Sequence, residues 1–253
     1  MTDREEFDSS FTEDDHLFHG DYLTDERAEH ELAEILALLD ELDVPASGSI
    51  LDAGCGDGRI AIRLAKRGFR VIAVDVDPDQ IRRAAARAAQ AGVAIDLRTA
   101  PIQALVVEEP VDVVLLWFNT FGFLDDEGNA AVLDRVASSL RPGGAVIIDT
   151  LNRWAVERDL LEWPGPVVVR SGAATQTDES RFDRSTERLL TTRTVVRGST
   201  TRVRHLSLQL PSPLAWPALL ARHGLQVVSV SGRDGESLND EAWPLVIVAT
   251  TMG

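Results

Sequence analysis

Apolar runs of five to seven residues alternate with amphipathic segments along the first 150 residues of the chain. Such runs predict strands, and segments with apolar residues at helical spacing predict helices. The alternation indicates right-handed βαβ units and a parallel sheet, whose strands are apolar throughout because helices cover both faces. We predict strands over 49–53, 70–74, 94–98, 111–117 and 145–149, and helices after Thr24, over 59–67, from Asp77 to Gly92 and over 127–140.

The pattern changes after residue 150. Runs over 167–170, 189–196 and 202–210 alternate polar and apolar residues without an intervening helix, which is typical of antiparallel strands. A helix is predicted from Ser212-Pro213 to Gly224, followed by strands over 225–230 and 245–250. We predict a single α/β domain over 1–253, with a Rossmann-like, doubly wound, mostly parallel seven-stranded sheet. Its last strand is antiparallel, and residues 163–210 form inserted antiparallel strands.

Composition argues against several classes of protein. No apolar run approaches the roughly 18 residues of a membrane span, and the polar start MTDREEFDSSFTEDD does not resemble a secretory signal. The single cysteine, Cys55, and five scattered histidines predict no metal site. A net charge of −16 repels phosphate backbones. We therefore expect a cytoplasmic protein that binds neither membrane nor nucleic acid.

The stretch ILDAGCGDGRI, residues 50–60, places a glycine-rich turn between a strand and a helix. Such a turn presents backbone N–H groups to a ligand, and Asp75, 21 residues after Gly54, can accept hydrogen bonds from a ribose diol. The third glycine of a dinucleotide-binding fingerprint is replaced by Arg59. Asp52 at the entry would repel a pyrophosphate and suit an ammonium group. The ligand predicted here is a nucleoside that carries an amino acid.

Three segments, ILDAGCGDGR, VIAVDVDP and LRPGGAVIID, resemble the class I S-adenosylmethionine-dependent methyltransferases, and the layout resembles their small-molecule, sugar N- or O-methyltransferase-like members. The resemblance implies S-adenosylmethionine as cofactor. It implies glycines along the methionine, Asp52 orienting the loop or reaching the amino group, Asp75 on the ribose and Val76 under the adenine. The implied cofactor residues are Arg27, Asp52, Gly54, Gly56, Gly58, Asp75, Val76, Ala100, Pro101, Ile102, Trp117 and Phe118.

Two of these assignments have alternatives. Arg27 is placed where related enzymes contact the cofactor carboxylate, but it would also suit a solvated helix face. Ala100 stands where the family commonly has an acid for the adenine amino group, so backbone groups of residues 100–102 or the side chain of Gln103 would replace that contact.

The resemblance also implies an acceptor site. Residues 1–23 would form a lid, and the implied acceptor contacts are Tyr22, Asn119, Phe121, Asn152 and Trp154. His16 and His19 are candidate bases, needed only if the acceptor is a hydroxyl.

The predicted function is methyl transfer to oxygen or nitrogen of a small-molecule metabolite by in-line displacement. Two alternatives stay open: a methyltransferase of RNA or protein, and a non-catalytic protein that binds S-adenosylmethionine. A homodimer is one expectation for the subunit count.

Overall fold

A computed structural model describes Leu17, Phe18 and residues 23–252, and residues 23–252 form eleven strands and six α-helices. The strands are β1 (Ser49–Ala53), β2 (Arg70–Asp75), β3 (Asp96–Thr99), β4 (Val111–Leu116), β5 (Leu140–Thr150), β6 (Val167–Ser171), β7 (Ala174–Asp183), β8 (Arg188–Arg197), β9 (Thr200–Gln209), β10 (Leu225–Gly232) and β11 (Leu245–Thr251). The helices are α1 (Asp25–Glu41), α2 (Arg59–Lys66), α3 (Pro78–Ala91), α4 (Asp126–Ser139), α5 (Arg153–Glu162) and α6 (Trp216–Ala221). Two 3₁₀ turns, Ile102–Ala104 and Arg233–Gly235, complete the described elements.

Seven strands form the central sheet in the order β10-β11-β5-β4-β1-β2-β3. β1 to β5 pair in parallel, and β11 is antiparallel to both of its neighbours. This arrangement confirms the predicted fold class. Asp52 of β1 is level with Ala73 of β2 and Leu115 of β4, so the segments that follow these strands meet at one edge of the sheet, where ligands bind in such folds.

Two buried apolar layers lie on opposite faces of this sheet. Leu32, Ile35 and Leu39 of α1 pack with Ile60 and Leu64 of α2 on one face. The other face is covered by α4 and α6, where the Phe121 and Trp216 rings lie 5.7 Å apart. The central parallel strands β1 and β4 are buried on both faces, which explains their apolar sequence, whereas β3 at the edge of the sheet is more exposed.

The inserted segment forms a second sheet, an antiparallel meander in the order β6-β7-β8-β9. At one end, Phe182 and Leu189 pack near Val156 of α5. At the other end, Phe18 packs on Ala174 and Val195.

The inserted sheet contacts the segment that follows β4 of the central sheet. The Gln209 N–H at the end of β9 donates to the carbonyl of Gly122, at 2.8 Å. A Cβ at Gly122 would lie 2.6 Å from the Gln209 oxygen, so this approach requires glycine.

Some elements differ from the predictions. β7, with the polar sequence ATQTDESRFD, lacks the apolar alternation that reveals a strand. α5 is also unpredicted, because it buries only Ala155 and Val156 and so has a weak apolar stripe. α6 begins at Trp216 instead of after Ser212-Pro213, where the chain makes a turn. In the described part of the chain, no helix is both long and apolar enough to cross a membrane.

Candidate active site

The glycine-rich turn joins β1 to α2 and leans against the end of β2. The N–H groups of Gly54 and Cys55 both donate to the Val74 carbonyl, at 2.7 and 3.0 Å. The Gly56 N–H donates to one oxygen of Asp75, at 2.9 Å, and the other oxygen accepts from the Asp77 N–H at 2.9 Å. The Asp75 carboxylate is thereby fixed beside the turn.

The three glycines of the turn serve different purposes. A Cβ at Gly54 would lie 2.4 Å from the Thr120 side chain, and one at Gly58 would lie 3.1 Å from Ala84. Packing within the protein therefore accounts for both of these glycines. A Cβ at Gly56 would meet no atom within 4 Å, so this part of the turn borders open space beside Asp75.

Residues that follow β2 and β3 form the next part of this surface. Asp75 and Thr99 are paired in the sheet, and the Ala100 N–H donates to the Asp75 carbonyl at 3.0 Å. Val76 is 61% exposed although it is apolar. Ile102, just after Pro101, begins the 3₁₀ turn. An apolar side chain and the start of a tight turn thus lie next to the Asp75 carboxylate.

Two carboxylates at this edge have pKa values above their usual range. Burial, with a smaller contribution from the nearby Asp75 charge, raises the pKa of Asp52 to about 7, against the opposing charge of Arg59. Burial also raises the pKa of Asp75, against the N–H groups of Asp77 and Gly56. Perturbed carboxyl groups in a cleft are typical of functional sites.

The segment after β4 has an unusual backbone. Phe118 and Asn119 have φ angles of 61° and 58°, in the left-handed region that residues other than glycine seldom adopt. Asp149, in β5, stabilises this conformation, because its side chain accepts from the Phe118 N–H at 3.2 Å and its carbonyl accepts from the Asn119 N–H at 3.0 Å. The buried Oδ1 of Asn119 has no hydrogen-bond partner among the described residues.

A sequence model of the family described as "Methyltransferase domain" matches residues 50–144, which include the turn, Asp75 and the segment after β4. Residues 50–144 therefore resemble a methyltransferase domain. The ubiquinone biosynthesis O-methyltransferase of Xylella fastidiosa (strain 9a5c) is 34% identical over 112 residues, 44% of this chain and 45% of that protein. The chain thus matches about half the length of its curated relative.

Solved structures resemble the fold over nearly the whole chain. An S-adenosylmethionine-dependent methyltransferase from Clostridium acetobutylicum has a TM-score of 0.75 at 14% identity, covering 94% of this chain and 97% of that chain. The sugar N-methyltransferase KedS8 from Streptoalloteichus has a TM-score of 0.71 at 16% identity, covering 98% and 96%. The chain shares the fold of these methyltransferases, and the match over residues 50–144 supports the predicted family. S-adenosylmethionine is the cofactor of this class of enzyme.

The residues of the methyltransferase domain fit this cofactor. The open space at Gly56 adjoins the Asp75 carboxylate, which has the hydrogen-bonding chemistry for a ribose diol. Exposed Val76 offers an apolar contact for a base. Asp52, 3% exposed, lies buried before the turn, and the half-buried Arg59 provides a guanidinium after it. Together they match a ligand with an adenosine at one end and an amino acid at the other.

Two predicted aromatic contacts are more buried than the sequence suggested. Trp117 is 3% exposed, its indole N–H donates to Glu31 at 3.3 Å, and the Arg233 guanidinium lies 5.3 Å from its ring centre. The half-buried Phe118 ring lies 5.1 Å from the Arg59 guanidinium. Both border the methyltransferase site, and their contact with the cofactor stays a prediction.

The structure does not support two predicted acceptor contacts. Phe121 is 2% exposed and packs in the core against Trp216, so its ring faces away from solvent. Asn152 is fully buried, donates to the carbonyls of Asn239 and Ala242, and accepts from the Trp154 N–H as the N-cap of α5. Apolar residues followed by polar ones come after each strand, and this pattern does not reveal that Phe121 packs in the core or that Asn152 caps a helix.

The other predicted acceptor and base residues have different outcomes. Trp154 lies half-buried in the first turn of α5. His16, His19 and Tyr22 lie outside the described residues, so their predicted roles stay predictions. Within the described ranges, no group of three or more His, Cys, Asp or Glu side chains could hold a metal ion.

Sequence reasoning missed a group of buried charges beside the site. Glu31 and Glu34 of α1 are 1% and 7% exposed, and Asp149 is 1% exposed. Arg233 pairs with Glu34 at 2.6 Å and with Asp149 at 2.5 Å. The available signal was the position of both acids on the apolar stripe of α1, next to Leu32 and Ile35, where solvated acids are not expected.

Proposed function

We propose that the chain transfers a methyl group from S-adenosylmethionine to an oxygen or nitrogen of a small-molecule metabolite. The observation that carries this proposal is the Asp75 carboxylate, fixed by the Gly56 N–H beside the one glycine of the turn that borders open space. The methyltransferase family match over residues 50–144 supports it.

The cofactor supplies a sulfonium-bound methyl group, which is already activated for displacement. The contribution of the protein is therefore alignment, which is worth roughly 7–11 kcal/mol in well-oriented reactions. Asp75 holds the ribose, and the turn holds the amino acid end. The Asn119 Oδ1, buried and without a described partner, accepts an N–H or O–H of the acceptor and orients its lone pair.

Charge favours a small acceptor over RNA. The chain carries 41 acidic and 25 basic residues, and this excess disfavours a polyanion. The inserted sheet also approaches the segment after β4, through Gly122 and Gln209, which supports an enclosed acceptor pocket. One relative is named as an O-methyltransferase and one structural neighbour as a sugar N-methyltransferase. We therefore include both oxygen and nitrogen as proposed acceptor atoms.

An amine acceptor is compatible with the described site as it stands. A neutral amine attacks without prior loss of a proton, whereas a hydroxyl needs a base. The buried carboxylate of Asp149, beside the segment after β4, already accepts from Phe118 and Arg233. His16 and His19 remain the proposed bases if the acceptor is a hydroxyl.

Calorimetry with S-adenosylhomocysteine tests cofactor binding. Asp75→Ala should weaken binding by about 10- to 100-fold, because hydrogen bonds to charged groups contribute about 1.5–3 kcal/mol. Asp125→Ala is the matched control, since this aspartate accepts from the Gly128 N–H at the start of α4, away from the turn. Equal affinities for the wild type and Asp75→Ala would refute the ribose assignment.

Methyl-labelled S-adenosylmethionine then identifies the acceptor class. The protein is incubated separately with pools of small metabolites, RNA and protein. Label in the metabolite pool is the expected result. Label in RNA or protein would contradict the proposed acceptor, and cofactor binding without transfer to any pool would favour the non-catalytic alternative.

A further inference from the structure

Asn129 carries a buried side-chain amide near the start of α4. It is 2% exposed. Its Oδ1 accepts from the Leu124 N–H at 3.2 Å, and its Nδ2 donates to the Leu124 carbonyl at 2.9 Å and to the Gly122 carbonyl at 3.3 Å. A third acceptor, the Gln209 Oε1, lies 2.9 Å from the same Nδ2. The other buried positions of α4 are mostly apolar, so packing alone would favour an apolar residue here.

Gln209 is the last residue of β9, so its contact with Asn129 joins the inserted sheet to α4. The Gln209 N–H also donates to the Gly122 carbonyl, at 2.8 Å. One residue of the inserted sheet is therefore bonded through both its main chain and its side chain, and both bonds end on the same short segment after β4 or on the amide that holds it.

Arg188 of β8, which pairs with Gln209 in the inserted sheet, contacts the same segment. Its guanidinium donates to the Leu124 carbonyl at 2.7 Å and to the Asp126 carboxylate at 2.9 Å. Apolar side chains such as Leu208 and Phe123 also pack at this end of the inserted sheet, but apolar packing is non-directional. The hydrogen bonds are the contacts that fix the orientation of the sheet.

The segment after β4 also carries Asn119, the proposed acceptor contact. Its start is fixed by Asp149, which accepts from the N–H groups of Phe118 and Asn119, and Phe121 is anchored in the core. The inserted sheet is attached only beyond these residues, at the end of the segment that the Asn129 amide holds. The two amides therefore determine where the sheet lies relative to Asn119.

We propose that Gln209 and Asn129 are positioning residues for the methyl acceptor, because they hold the inserted sheet in a fixed place relative to Asn119. This inference rests on the proposed function, in which the sheet and the segment after β4 enclose the acceptor. The Asn129 amide is occupied by its own partners, so it acts through the sheet and does not touch the acceptor. A misplacement of about 1 Å can slow a reaction that depends on alignment by about 100-fold.

Gln209→Leu removes the side-chain link alone. The Gly122 and Leu124 carbonyls remain as acceptors for the two hydrogens of the Asn129 Nδ2, so no buried donor is left without a partner. The rate at which label from S-adenosylmethionine enters the metabolite fraction should fall by about 10- to 100-fold. The affinity for S-adenosylhomocysteine should stay within about twofold of wild type, because Asp75 and the glycine-rich turn are unchanged.

Two further variants separate positioning from a general structural role. Gln209→Glu keeps an oxygen for Asn129 beside the Arg188 guanidinium, and it should retain the transfer rate within about twofold of wild type. Ser139→Ala is the matched control, since it removes another buried polar side chain of α4, one that donates to the Arg135 carbonyl within the same helix. Ser139→Ala should leave both transfer and affinity unchanged.

Transfer at the wild-type rate in Gln209→Leu would overturn the positioning role. Equal losses of transfer and of S-adenosylhomocysteine affinity would also overturn it, because the amides would then support the whole site. Failure of Gln209→Glu to retain transfer would show that the link through Asn129 is not what matters.

A double variant covers the case in which Gln209→Leu does not fold. Asn129→Leu with Gln209→Leu replaces both partners by apolar side chains, an exchange that can be nearly neutral for stability. It should lose transfer and keep S-adenosylhomocysteine binding, and wild-type transfer in this variant would refute the inference. A wild-type protein that binds S-adenosylhomocysteine but labels no pool would instead refute the proposed function, and this inference with it.

Discussion

Asp52→Asn should make the stability of the free protein less dependent on pH. Burial raises the pKa of Asp52 from 3.8 to about 7, only partly opposed by Arg59. The unfolded chain therefore releases this proton at lower pH than the folded chain does. The stabilising contribution of the protonated form is complete below pH 3.8 and is lost as the pH rises through 7.

The size of the effect follows from the shift. One pKa unit corresponds to about 1.4 kcal/mol, so a shift of about three units corresponds to roughly 4 kcal/mol. The free energy of unfolding of Asp52→Asn minus that of the wild type should therefore rise by up to about 4 kcal/mol between pH 4 and 8. The new amide adds an offset for its unmatched N–H groups, about 1–3 kcal/mol unfavourable. That offset does not vary with pH, so the slope of the difference is the decisive quantity.

Urea denaturation at intervals of half a pH unit measures this slope. Other buried acids such as Asp149 titrate in both proteins and cancel in the difference. Asp112→Asn is a control of opposite sign: although burial acts to raise the pKa of Asp112, hydrogen bonds from Ser49 and Arg141 hold it below its usual value. That variant should lose stability relative to wild type as the pH rises through the acid range and then level off. Parallel curves of unfolding free energy against pH for Asp52→Asn and wild type would refute the raised pKa of Asp52.

Four further variants test other parts of the structure by urea denaturation and calorimetry. Gly54→Ala should destabilise the fold by about 2–3 kcal/mol through overlap with Thr120. Gly56→Ala should cost only the roughly 1–2 kcal/mol of its left-handed backbone and should weaken S-adenosylhomocysteine binding. Equal stability losses in the two variants would contradict the different roles of these glycines. Arg233→Met should lower the free energy of unfolding by about 3–5 kcal/mol, because two buried carboxylates lose their partner, and a loss below about 1 kcal/mol would show that the network is solvated. Asn152→Ala should cost about 1–2 kcal/mol as a lost cap with cofactor affinity unchanged, and an unchanged free energy of unfolding would contradict the capping role.

The sheet that carries the site could be predicted from sequence because local signals agreed there. Thr24, Asp77 and Gly92 cap helices where expected, and the apolar runs predicted β1 to β5, with shifted boundaries. The three glycines looked equivalent in sequence, but only the structure shows which of them packs against Thr120 or Ala84 and which borders open space.

Pairings between distant residues could not be predicted. Glu34 and Arg233 are 199 residues apart in the chain and meet only after folding. Each has an ordinary sequence context by itself, and a helix pattern reports burial of apolar residues but not which cation meets a buried acid. The same limitation hid Asn152, whose capping role depends on an unpredicted helix and on the carbonyls of residues near the C-terminal strand.

The meander β6 to β9 closes its strand-to-strand hydrogen bonds within one continuous stretch of chain. Replacement of that stretch would leave the strand register of the seven-stranded sheet intact. The meander could therefore be exchanged as a unit during evolution, provided that position 122, where the two sheets meet, stays glycine. Chimeras cut at the two ends of the meander are accordingly a practical starting point for engineering this protein.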